Sequence, residues 1–191
     1  VHVIPNEGLK REAHEAKVFE ALALIEKQTG ELRWIVLAGY MRLLSEKFVK
    51  RFWDPTLGAS RIVNIHPSLL PAFPGVDSYE RALKAKVRRT GCTVHLVGLG
   101  VDSGPILNQA TLEILSNDTV DSLKARGLKL EHKLFSETLE DLFTQGAREK
   151  VYRFERAVID NAYDAKAHRV KEFGEIRALS SELYWVQTSQ E

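Results

Sequence analysis

Two side chains near the middle of the sequence carry chemistry in their types and spacing. Asn64 and His66 stand two residues apart at the end of the apolar pair Ile62 and Val63. On a strand, alternation turns both to one face. A carboxamide N–H there can hold a developing oxyanion while the imidazole beside it moves a proton, a pairing suited to acyl transfer. Pro67, Pro71, Pro74 and Gly75 follow, so the pair leads into a loop with little freedom to lose. A carboxylate, Asp102, sits in Val101-Asp102-Ser103-Gly104-Pro105. It would orient the imidazole or take a proton.

The elements that must position these groups alternate between strand-like and helix-like segments. Val18, Leu22 and Ile25 give helical spacing over residues 9–28, which Gly30 ends. Residues 34–38 are a continuous apolar run, the pattern of a strand covered on both faces. Ser45 is suited to cap a helix through Phe48, Val49 and Phe52. Residues 61–65 predict the strand that carries Asn64, and 77–86 the next helix. Residues 93–97 and 106–114 predict strands on either side of Asp102. Residues 119–144 predict a long amphipathic helix, and 151–159 alternate like an edge strand. Strand–helix alternation implies an α/β domain: a Rossmann-like, mostly parallel sheet with helices on both faces. Ligands in such sheets gather at the carboxyl ends of strands, and the candidate residues follow that rule: Asn64 and His66 end one strand, Asp102 follows another, and the 41–44 segment follows the 34–38 strand.

Composition narrows the function classes. The 191 residues are 44% hydrophobic and 28% charged, the values of an ordinary globular domain. A net charge of +1 gives no electrostatic case for nucleic acid or an anionic membrane, and the basic run Lys84 to Arg89 reads as a solvated helix end. No apolar run is long enough to span a bilayer. A single cysteine, Cys92, excludes an internal disulfide framework and a cysteine zinc cluster. Inside an apolar strand it reads as a small buried hydrophobe.

Three motifs in order, Asn64 to Pro71, Gly91-Cys92-Thr93-Val94-His95 and Asp102-Ser103-Gly104-Pro105, resemble the formyltransferases that use 10-formyltetrahydrofolate. Within that family the sequence is most similar to the branch acting on glycinamide ribonucleotide (GAR). The branch acting on methionyl-tRNA usually carries Ala or a similar residue where Pro67 stands, and the hydrolases a second His. The resemblance runs from about residue 3 to about residue 161 and implies a formyltransferase domain over 1–161, followed by an extension over 162–191 of unassigned role. It implies formyl transfer from 10-formyltetrahydrofolate, as co-substrate, to the amine of GAR in de novo purine synthesis. The catalytic residues would be Asn64, His66 and Asp102, with no metal. Met41, Arg42, Leu43, Leu44, Val94, Gly98, Leu99 and Gly100 would line the folate pocket. Tyr40, Pro67 and Glu131 would meet the amine substrate. Its partners would be small molecules, with neither nucleic acid nor membrane, in the cytoplasm or in an organelle if a targeting segment is removed.

Several readings stay open at this level. Met41, Leu43 and Leu44 read equally as core packing, and His95 as a structural strand histidine. Family members open with two strand–helix units and a Gly-rich phosphate-binding loop before the segment that Val1-His2-Val3-Ile4 resembles. The expectation is that roughly 60 residues of that kind lie outside this sequence. An N-terminal segment or a partner chain would then cover an exposed sheet edge. Leu128 falls where a polar ribose contact is common, and Gly98-Leu99-Gly100 where acidic and hydroxyl side chains are. The alternative function is therefore a catalytically inactive, formyltransferase-like structural subunit of a larger assembly.

Overall fold

The computed structural model describes residues 2–5, 8–144 and 186–187. In chain order the elements are β1 (His2–Val3), α1 (Arg11–Thr29), β2 (Ile35–Leu37), α2 (Glu46–Arg51), β3 (Trp53–Asp54), β4 (Ala59–Ser60), β5 (Ile62–His66), α3 (Ser78–Lys84), β6 (Arg89–Leu96), β7 (Ile106–Glu113), α4 (Val120–Thr144) and β8 (Val186–Gln187). The expected strand over 151–159 lies outside the described residues, as does all of the 162–191 extension except β8. Among the described residues no helix is long and apolar enough to cross a membrane.

Local chemistry explains the helix ends. Gly30, at φ +93°, returns its N–H to the Glu26 carbonyl and stops α1. The Ser45 hydroxyl accepts from the Phe48 N–H at 3.2 Å and starts α2. The hydroxyl and N–H of Ser45 both donate in turn to the carboxylate of Glu15, a buried α1 residue. One acid thus ties the two helices together.

The main sheet has the order β2-β5-β6-β7. β2 pairs with β5 in parallel, while β5–β6 and β6–β7 are antiparallel. The α/β class with helices on both faces stands, but the described pairings are mixed rather than mostly parallel. Only nine residues and no helix join β6 to β7. A parallel crossover needs a dozen or more residues, so that connection can only reverse the chain.

Alternation along β5 splits the core in two. Val63 packs with Cys92, Val94, Leu96 and Leu107 against Leu134, Leu142 and Phe143 of α4. Ile62 packs on the other face with Val18, Ala21 and Leu22 of α1, Phe48 of α2, and Ile4. Asn64 and His66 continue the Ile62 parity and stand on the α1/α2 side. Across the ladder Asn64 faces His95 and His66 faces Thr93. Directly opposed residues share a face, so four polar side chains meet at one end of an otherwise apolar surface.

Candidate active site

His66 is buried at the carboxyl end of β5, and both of its nitrogens are engaged. Nδ1 lies 3.3 Å from Asp102 Oδ2, and Nε2 lies 3.0 Å from the Phe73 carbonyl. The ring is flanked by two acceptors, so both N–H positions are provided for once it has taken a proton. The same Asp102 oxygen accepts the Gly75 N–H at 2.6 Å. Asp102 comes from the loop after β6, which leaves the sheet beside the amino end of β5 and folds back to reach His66. That return is tight. A Cβ at Gly98 would stand 2.6 Å from Ser103 Oγ, and one at Gly104 2.2 Å from the Leu96 carbonyl. Ser103 Oγ accepts the Gly100 N–H at 2.9 Å and closes the turn. Asp102 itself sits at φ +46°.

Asn64 is half-buried and has a defined neighbour. Its Nδ2 lies 3.4 Å from His95 Nε2. His95 Nδ1 donates to the Leu96 carbonyl at 3.0 Å, which leaves Nε2 with a lone pair for the amide. Burial, ahead of every other influence, holds His95 below the usual histidine range and therefore neutral. His95 thereby sets which end of the Asn64 amide faces it. The second Nδ2–H is left to donate elsewhere.

A buried hydrogen-bond set fixes the proline-rich loop that follows His66. Thr93 Oγ1 accepts the Leu70 N–H at 3.0 Å and donates to the Ser68 carbonyl at 2.6 Å. The Gln109 amide donates to the Leu70 carbonyl and to Thr93 Oγ1, each at 2.9 Å. Gly91 lets Leu69 approach, since a Cβ there would lie 2.7 Å from Leu69 Cδ2. Beyond this clamp, Phe73, Gly75 and Asp77 alternate through positive φ values of 53°, 78° and 56°. Strained backbone of this kind persists where the surroundings over-determine it.

The structure brings Asn64, His66 and Asp102 together and distributes the remaining expected residues around them. Pro67 starts the clamped loop. Met41, at 74% exposure, and Leu99, at 55%, present large apolar side chains to solvent, as does Leu43. Leu44 packs against the α1/α2 cluster, and Arg42 donates to the Leu9 carbonyl at 2.9 Å. Gly98 and Gly100 form the Ser103 turn described above. Val94 is fully enclosed in the α4 core, on the face opposite Asn64, so its side chain is turned away from the expected slot. Val97 packs instead on the α1/α2 face. Tyr40 lies against His14, with ring centroids 6.5 Å apart, and lines an apolar cleft along β2 with Leu22, Leu37 and Phe48. Glu131, half-buried on α4, accepts a hydrogen bond from Tyr79 at 2.7 Å.

Sequence reasoning missed four contributors: the Phe73 carbonyl, the Gly75 N–H, the Thr93–Gln109 clamp and Tyr79. Pro74-Gly75 signalled a turn, but no side-chain pattern marks a backbone group that faces a histidine. Among the described residues no group of three or more His, Cys, Asp or Glu side chains is placed to hold a metal ion.

Comparison with known proteins gives a family and a shared fold. The family model described as formyl transferase matches residues 1–139. The phosphoribosylglycinamide formyltransferase of Bacillus subtilis (strain 168) is 39% identical over 140 residues, covering 73% of this chain and 69% of that protein. The crystal structure of phosphoribosylglycinamide formyltransferase from Bacillus halodurans superposes with a TM-score of 0.61 at 41% identity, over 71% of this chain and 64% of that one. A formyltetrahydrofolate deformylase from Pseudomonas syringae pv. tomato also gives a TM-score of 0.61, at 25% identity, over 71% of this chain and 42% of its own. The chain thus spans part of each relative's length.

Proposed function

The chain belongs to the formyl transferase family, and from that premise we propose that it moves a formyl group from 10-formyltetrahydrofolate to the amine of GAR. The observation that carries the reading is the closed polar set: Asn64 on neutral His95, His66 on Asp102, and Asp102 on the Gly75 N–H. An inactive subunit has no need of three functional side chains held by partners of their own.

The residues divide the work. The amine nitrogen attacks the formyl carbon, and the carbonyl electron pair moves onto oxygen. The free Nδ2–H of Asn64 donates to that oxygen, a contribution of roughly 2.7–4 kcal/mol to the transition state for donors of this type. The proton shed by the attacking nitrogen passes to His66 Nε2, which exchanges its contact with the Phe73 carbonyl for the substrate, while the Nδ1–H is received by Asp102. It leaves again to the departing folate nitrogen as the carbon–nitrogen bond breaks, so the protein ends as it began. Asp102 keeps the ring oriented throughout. The exposed apolar side chains Met41, Leu43 and Leu99 and the Gly98–Gly100 turn suit a flat aromatic co-substrate. Glu131 suits the hydroxyls of the amine substrate.

A further strand, from another part of the polypeptide or from a partner chain, would cover the outer edge of β2. Among the described residues β2 pairs with β5 alone, and an apolar cleft runs beside it.

The test is a steady-state assay of the full chain with both substrates, following formyl-GAR. Turnover that needs both is expected. No product at saturating concentrations of each would overturn the reading. In the same preparation a non-reactive folate analogue at 100 times its Kd should stabilise the protein by about 2.7 kcal/mol. An unmoved melting temperature would count against the co-substrate.

A further inference from the structure

We infer that Tyr79 is a positioning residue that fixes the substrate-facing oxygen of Glu131, and that Gly127 is the notch that admits it. The inference rests on the proposed role of Glu131 as a contact to the hydroxyls of the amine substrate.

Three observations converge. Tyr79, on α3, is 7% exposed, and its hydroxyl donates to Glu131 Oε1 at 2.7 Å. Gly127 lies one turn before Glu131 inside α4, where glycine is a poor helix former. A Cβ there would stand 2.0 Å from the Tyr79 hydroxyl oxygen and 2.4 Å from the ring carbon that bears it. The phenol end therefore passes over a position that no other residue can fill. Burial first, and the Glu131 hydrogen bond second, push the Tyr79 hydroxyl well above the usual tyrosine range, so it remains a donor.

Glu131 is left with one oxygen committed and one open. No described residue donates to Oε2, and Leu128, three residues earlier on the same helix face, is exposed. A carboxylate held by one oxygen and open at the other suits a vicinal diol, whose hydroxyls donate to it. A glutamate left to itself would have to lose its rotamer freedom on binding. Tyr79 removes that freedom beforehand.

The placement also links the substrate contact to the chemistry. Residues 73–79 form a single strap that touches three of the polar groups at issue. The Phe73 carbonyl meets His66, the Gly75 N–H meets Asp102, and the Tyr79 hydroxyl meets Glu131.

The experiment is a double-mutant cycle in the full chain. Tyr79→Phe keeps the ring that packs and removes only the hydroxyl. It should raise KM for GAR about tenfold, with kcat and KM for the formyl donor within about twofold of wild type. In a Glu131→Ala background the same change should move KM less than twofold, because the group it positions is gone. A purely structural tyrosine would give the same effect in both backgrounds, and that result overturns the inference. So does a fall in kcat with KM unchanged, or no effect of Tyr79→Phe at all. Those outcomes, in a wild-type chain that formylates GAR, leave the proposed function standing. A wild-type chain that forms no product removes the function and this inference with it.

Discussion

The two sides of the sheet are built on different terms. On the β5–β6–β7 side the polar groups of the proposed site have partners: His66 on Asp102 and Phe73, Asn64 on His95, Thr93 on Ser68, Leu70 and Gln109. On the β2 side the strand is short, apolar and only half-buried, and Met41 just beyond it is one of the most exposed large hydrophobics. There, too, His14 is fully enclosed, with neither ring nitrogen partnered among the described residues. The difference teaches which part of the chemistry is preorganised. The groups proposed to handle the proton and the oxyanion are already held by partners within the protein. The side that would meet the flat co-substrate presents apolar surface that is complete only when something lies against it.

The sharpest way to break this comparison is to remove a partnered group and see nothing. Asn64→Ala should lower kcat by about 100-fold to 1,000-fold, the loss typical of a missing oxyanion donor. Asp102→Asn should cost about 100-fold. Asparagine is the right replacement there, because it tolerates the left-handed backbone at φ +46° and isolates the charge from the fold. Both variants should melt within a few degrees of wild type. Rates within threefold of wild type would mean that the partnered side is structural rather than catalytic.

A smaller effect tests the clamp that holds the partnered side in place. Thr93→Val preserves shape but deletes the hydroxyl shared by Ser68, Leu70 and Gln109. It leaves buried groups unpaired, each costing about 1–3 kcal/mol. Allowing for relaxation, urea unfolding should show a loss of about 2 kcal/mol. Turnover should fall as well, since the loop after His66 loses its fixed start. An unchanged urea midpoint would show that the loop is held by its prolines alone.

How much of this was legible in the sequence depends on whether side chains or backbone do the work. The Asn64–His66 pair followed from period two, because Ile62 and Val63 mark the strand and its two faces. The caps at Ser45 and Gly30 followed from residue type. The mixed pairing did not follow, because strand–helix alternation fails between 93–97 and 106–114, where no helix intervenes. That reversal brings the Asp102 loop out beside the amino end of β5, so proximity to His66 depends on a fold-back that only Gly98 and Gly104 hint at. Val94 illustrates the limit of motif reasoning: its neighbours carry chemistry, but strand parity puts its side chain in the α4 core. Tyr79 was invisible because a tyrosine on a short helix carries no signal of a glutamate 52 residues away.

The smallest expected effect lies on the unpartnered side and runs in the opposite direction. His14 is 0% exposed, and both of its ring nitrogens lack a hydrogen-bond partner among the described residues. Such a group costs about 1–3 kcal/mol, so His14→Phe should raise stability by about 1 kcal/mol at pH 7.5, the larger ring offsetting part of the gain. The pH dependence gives an independent reading. Burial first, then the nearby Arg42 charge, hold His14 below the usual histidine range, and Glu15 opposes them only in part. Above about pH 6.5, the ordinary histidine value, His14 is neutral both folded and unfolded and has no influence on the slope. Below it the unfolded chain takes a proton that the folded chain refuses, so stability falls as pH falls, by up to about 1.4 kcal/mol per pH unit for each such histidine. Among the described residues His14 and His95 are both held low in this way. Chemical unfolding of wild type and His14→Phe between pH 7.5 and pH 5 should therefore show a shallower decline in the variant, by the share of one proton. A destabilised variant with an unchanged slope would mean that His14 is partnered by residues outside those described, and that the β2 side is as fully satisfied as the other.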